Sequence, residues 1–146
     1  MESSESYGRI LAIDWGEKHI GIAISDETQT LARPLDVLKS GSRKLNAEQI
    51  AAITEEWDPV EIIMGVTYDA EGELTPSGRR ANRLADALRC VTDISIKTVD
   101  EVRSTQIAKE NKIIIGTTRK SRRGHLDSDA AAVFLQQYLD RGRKNG

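Results

Sequence analysis

One cysteine, Cys90, is all the thiol that this 146-residue chain contains, so no internal disulfide can form. Its apolar neighbours suggest a buried thiol in a reducing compartment, and the expected location is the cytoplasm. Histidines number two, His19 and His125, and with a single cysteine they are too few for a zinc site. Cys90 on an apolar helix face also argues against a cysteine–histidine catalyst. No Walker loop and no nucleophile elbow occur. No apolar run approaches the length that crosses a bilayer, so no membrane partner is expected. Met1 to Gly8 lacks the basic start and apolar stretch of a signal peptide. Repeats and linkers are missing too. The expectation is a single domain over residues 1–146, with loose ends at 1–8 and 141–146.

Hydrophobic residues make up 38% and charged residues 30%, a balance that supports one globular core. The net charge of −2 hides an uneven distribution. Residues 1–101 carry 11 Lys/Arg against 19 Asp/Glu, whereas residues 102–125 carry 7 against 1. Within that positive block Arg119, Lys120, Arg122 and Arg123 crowd together among glycine and serine. Such a cluster is either a solvated loop or a flexible segment that contacts phosphates.

Residues 9–14 and 19–25 are short apolar runs flanking Gly16, which reads as a β-hairpin. A third strand is expected over 31–38, where Pro34 argues for an edge or irregular strand. Leu45, Ile50, Ile53 and Trp57 recur at helical spacing over 45–57, and Pro59 ends that helix before a fourth strand at 60–65. A polar loop over 66–76 leads to a helix at 77–89 with Ala81, Leu84, Ala85 and Leu88 on one face. A fifth strand covers 94–99. Helices are expected at 104–115 and 127–140, the second capped by Asp127. The order β-β-β-α-β-α-β-α-α predicts an α/β fold, a five-stranded mixed sheet with helices on its faces.

Three places put a carboxylate at the end of a core element: Asp14 after strand one, Glu101 after strand five, and Asp127 with Asp129 at the last helix. Sites in α/β sheets gather at strand ends beside helix N-termini. Phosphoryl hydrolysis needs hard cations, which take carboxylate oxygens, and two such ions ~4 Å apart need only three or four acids. Taken singly, Glu101 and Asp127 also fit a solvated turn residue and a helix cap. Asp14, directly after an apolar strand and before Trp15-Gly16, is harder to explain that way.

Four segments in order resemble the YqgF family, described as Holliday junction resolvases and pre-16S rRNA processing nucleases. They are ILAIDWGEKHIGIAISD at 10–26, IMGVTYDAEG at 63–72, VDEVRST at 99–105 and GHLDSDAAAVFLQQYL at 124–139. Thr67 stands where that family prefers proline, and His19 where it has another basic residue. Val102 replaces the arginine that normally follows the glutamate, with Arg103 displaced by one. The resemblance implies an RNase H-like fold and a nuclease whose Asp14, Glu101 and Asp127 bind two Mg²⁺ or Mn²⁺ ions. Its implied partner is nucleic acid, precursor 16S rRNA or branched DNA, contacted by Lys18, Arg103, Arg119, Lys120, Arg122 and Arg123. A homodimer is also considered.

The opening D-x-G-x-K-x-x-G is shared with the first phosphate loop of actin-like ATPases, which gives an ATP-binding alternative. A non-catalytic RNA-binding protein is the third reading. Position on the last helix separates the two neighbouring acids at its start: Asp127 lies in line with Ala130, Ala131, Phe134 and Tyr138, whereas Asp129 lies with Ala132, Val133, Gln136 and Asp140. Asp127 is therefore the expected ligand.

Overall fold

Alternation within the strands decides which side chains meet which helix. In the computed structural model, which describes residues 8–101 and 126–145 (side chains at 8–101 and 129–141), β1 (Ile10–Asp14) and β2 (His19–Ser25) form the expected hairpin. β3 (Ala32–Lys39) pairs antiparallel with β2, β4 (Glu61–Val66) pairs parallel with β1, and β5 (Ser95–Asp100) pairs parallel with β4. The sheet order is β3-β2-β1-β4-β5. Helices α1 (Arg43–Trp57), α2 (Pro76–Arg89) and α3 (Leu126–Asn145) complete the described elements. The helix expected at 104–115 lies outside the described residues.

Pro34 is on an edge strand, and beside it the β2–β3 register slips: Ile22 faces Asp36 while Ala23 faces Pro34, leaving Leu35 as the extra residue of a bulge. Both of the irregularities that a proline permits occur here together.

On one face of the sheet Leu11, Ile13, Ile20, Ile22, Ile62 and Met64 pack against Ala47 and Ile50 of α1 and Ala81, Leu84, Ala85 and Leu88 of α2. On the other face Ile10, Ala12, Ala23 and Ile63 pack against Ala131, Phe134, Leu135 and Leu139 of α3. Phe134 is fully buried, and cutting it to Ala would cost about 3–5 kcal/mol.

α3 runs antiparallel to β1. The Tyr138 hydroxyl donates to Glu61 Oε1 at 2.9 Å at the start of β4, and Gln136 bonds Ala32 N and Thr30 O at 2.9 Å each. Its C-terminal half therefore lies at the N-terminal ends of β1 and β4, and its first turn comes to their carboxyl ends.

Three local expectations change. Cys90 is exposed, because α2 stops at Arg89 and Cys90, as its C-cap, falls about 200° around the helix from buried Leu88. Leu45 is 49% exposed, and the first turn of α1 buries Asn46 instead. That side chain accepts from Gly41 N at 2.8 Å and donates to Lys39 O at 3.1 Å, so burying it leaves no polar atom stranded. α3 starts at Leu126 and continues to Asn145, which puts Asp127 inside the first turn rather than at the cap. Gly142 costs the helix only about 1 kcal/mol, too little to stop it.

Candidate active site

Asp14, Gly65 and Glu101 meet at the carboxyl ends of three adjacent strands. Alternation places Asp14 on the same face as Ile10 and Ala12, Gly65 on that of Ile63, and Glu101 on that of Val99, which is the α3 face in each case. The Glu101 N–H donates to Val66 O at 3.0 Å, extending the β4–β5 ladder by one rung and fixing where its side chain starts.

Glu101 is 7% exposed, and Asp14 is half-buried. Their carboxyls are hydrogen-bonded to each other. Burial first, then the Asp14 charge, then that hydrogen bond and the Asp100 charge push the Glu101 carboxyl up to about 10. At neutral pH Glu101 therefore keeps its proton.

Gly65 makes the arrangement possible. A Cβ there would stand 2.6 Å from Glu101 Cδ and 2.8 Å from each carboxylate oxygen. The signal for it was present in the sequence, a glycine inside an apolar strand, which marks close approach of another group. Gly16 holds the neighbouring hairpin tight, since a Cβ there would lie 2.5 Å from His19 O.

Of the remaining candidates, Asp127 is in the first turn of α3, at the same end of the sheet, and its side chain lies outside the described residues. The inward face of that helix carries Ala131, Phe134, Leu135 and Leu139. Position 127, four before Ala131 and seven before Phe134, is in register with it, and position 129 is on the opposite side. Lys18 is exposed in the β1–β2 hairpin loop, and its carbonyl accepts from Ser40 N at 2.9 Å. Arg103, Arg119, Lys120, Arg122 and Arg123 lie outside the described residues.

The donor set is all oxygen, and it suits a hard divalent cation. The two carboxyls cannot both be anions at this site without a compensating positive charge, and the Glu101 carboxyl fills the space over the Gly65 backbone where a side chain would otherwise stand.

A family model described as RuvX, Holliday junction resolvase, matches residues 8–141. The chain belongs to this family. It is thereby a nuclease by family, and the resemblance drawn from its four segments holds. RuvX-family relatives named "Putative pre-16S rRNA nuclease" include one from Roseiflexus sp. (strain RS-1), 31% identical over 96% of this chain and 99% of that protein. Another, from Bordetella pertussis, is 36% identical over 90% of this chain and 92% of its own length. Among solved structures, Thermus thermophilus RuvC in complex with a Holliday junction substrate superposes with a TM-score of 0.56 at 16% identity, covering 93% of this chain and 96% of that one. The fowlpox virus Holliday junction resolvase gives 0.54 at 16%, covering 91% and 99%. At such identities these two show the fold alone, the RNase H-like mixed sheet expected from the sequence. Among the described residues, no helix is long and apolar enough to cross a membrane.

Proposed function

We propose that this protein hydrolyses phosphodiester bonds in nucleic acid, with precursor 16S rRNA near its 5′ end as substrate, using divalent metal held by Asp14, Glu101 and Asp127. The observation that carries the proposal is the Asp14–Glu101 pair, two carboxyls hydrogen-bonded to each other at strand ends, with Glu101 buried. Asp14 and Glu101 would supply oxygen ligands from β1 and the end of β5, and Asp127 a third from α3. When bound, Mg²⁺ or Mn²⁺, two ions in the full site, would act as Lewis acid to the phosphoryl oxygens and lower the pKa of water. Glu101 would give up its proton as the site loads, and Gly65 would keep its carboxylate from being displaced. Lys18, Arg103 and the cations at 119–123 would hold phosphates, and the chain would act as one domain in the cytoplasm, as a homodimer. Light scattering of the purified chain checks the last point.

The deciding experiment is cleavage of single-stranded RNA, a precursor 16S rRNA leader and a four-way DNA junction, with Mg²⁺ and with Mn²⁺. Cleavage of the leader that is lost in Asp14→Asn supports the reading. Preference for the junction would replace the substrate by branched DNA, as the family description favours. Binding without cleavage would leave an RNA-binding protein, and ATP hydrolysis would point to the actin-like alternative.

A further inference from the structure

Behind the carboxylate pair, on the α1/α2 side of the same sheet end, lies a cleft of about 330 Å³. Trp15, Glu17, Arg43, Arg80 and Arg83 are among the residues that line it. We propose that this cleft holds the phosphates flanking the scissile one, and that Arg43, Arg80 and Arg83 carry the contact. The proposal rests on the nuclease reading and adds to it a binding surface far in sequence from the basic block at 102–125.

Four observations support it. The three arginines are exposed, and among the described residues no ion pair joins any of them to an acid, whereas Arg89 is paired with Asp86 at 2.8 Å. They face one lining acid, Glu17, in a part of the chain where acids outnumber bases 19 to 11. Neither α1 nor α2 has an acid in its first turn. Instead α1 opens on Arg43 and Lys44, and Arg79 and Arg80 stand near the start of α2. A helix start favours anions by about 0.3–1 kcal/mol, so cations there work against helix stability and add to the positive potential that an anion would meet. Finally, the Arg80 guanidinium stands over the Trp15 ring, 5.8 Å from its centroid, which limits its freedom before any ligand arrives.

Connectivity ties the cleft to the carboxylates. Trp15 directly follows Asp14, and the two side chains leave β1 toward opposite faces: Asp14 toward α3, Trp15 against the α1/α2 core. A strand whose scissile phosphate sits at Asp14 and Glu101 reaches the arginines by crossing the carboxyl edge of the sheet. Guanidinium forks match phosphate oxygens in pairs, and a polyanion with evenly spaced phosphates engages three of them at once.

The test uses the full chain carrying Asp14→Asn, so that substrate survives, and measures binding of labelled single-stranded RNA against salt concentration in chelator. Replacing Arg43, Arg80 and Arg83 together by Gln should lower affinity at least tenfold at low salt. It should also reduce the log–log salt slope by about two, near 0.7 per lost single-strand contact. The triple Lys replacement should restore most of the slope. Arg141→Gln, which removes an exposed charge at the other end of α3, should change neither. If the triple Gln variant does not fold, Arg80→Gln and Arg83→Gln singly should each lower the slope by about 0.7. An unchanged slope in a folded variant overturns the proposal, as does an equal loss from Arg141→Gln. A parent protein that cleaves with an unaffected triple variant would sink the cleft alone. A parent that binds through these arginines but cleaves nothing would sink the nuclease reading alone, and one that neither binds nor cleaves would sink both.

Discussion

Glu101→Gln should stabilise the metal-free protein at neutral pH. Glu101 ionises at about 10 in the fold, against 4.5 for the free side chain. Below pH 4.5 both folded and unfolded chains hold this proton, and it has no effect on stability. Between 4.5 and 10 the folded chain keeps a proton that the unfolded chain has released, so stability falls as pH rises, by about 1.36 kcal/mol per unit. At pH 7 the accumulated cost is about 3 kcal/mol. Glutamine carries no such proton, has nearly the same shape, and still offers a donor to Asp14. The variant should therefore melt roughly 6–12 °C above the parent at pH 7 in chelator, taking about 2–4 °C per kcal/mol for a chain of this size. The gap should close toward pH 4. Mg²⁺ should then raise the melting temperature of the parent and not of the variant, since only the parent regains a second carboxylate. Calorimetry or circular dichroism from pH 4 to pH 8 reads all of this. A gap under about 1 kcal/mol at pH 7, or one that does not change with pH, would refute the argument that burial and Asp14 hold Glu101 protonated.

Gly65→Ala should push the Glu101 carboxyl aside, destabilise the protein by about 1–3 kcal/mol in thermal melts, and abolish cleavage. Asp127→Asn should stop cleavage with little change in melting, whereas Asp129→Asn should cleave as the parent does; the reverse result in a cleavage assay would move the ligand to Asp129. Ser25→Ala should cost about 1–3 kcal/mol by denaturant titration, because the buried Ile10 N–H donates to Ser25 Oγ at 2.8 Å and would lose its acceptor.

Strand positions were legible to within about a residue because each strand alternates or runs apolar between turn residues, a signal that depends only on local periodicity. The edge position of β3 followed from Pro34 for the same reason, since a missing N–H excludes a central strand. What failed was detail that packing decides. The apolar spacing that put Leu45 on the buried face of α1 ignored Asn46, whose burial depends on backbone groups at Lys39 and Gly41. The fate of Cys90 turned on α2 ending at Arg89, beyond which apolar neighbours no longer imply a shared face.

The site was legible in part for a different reason. Asp14 and Glu101 announce themselves because each terminates a strand, and strands β1 and β5 are parallel to the same neighbour, so both ends open on one edge of the sheet. Sequence order cannot say that the two carboxyls touch; that needs β4 to lie between them with no side chain at position 65. Gly65 is thus the residue that converts two separate strand-end acids into a coupled pair, by leaving the gap across which they meet. The arginines of the cleft were hidden by the same geometry. Arg43 and Arg80 belong to different helices, and only the return of β3 and β4 to one edge brings both helix starts beside Trp15. Opposite charges therefore gather on opposite faces of one sheet edge, acids toward α3 and bases toward α1 and α2. A phosphodiester strand crossing that edge would meet the carboxyl pair on one side and guanidinium groups on the other.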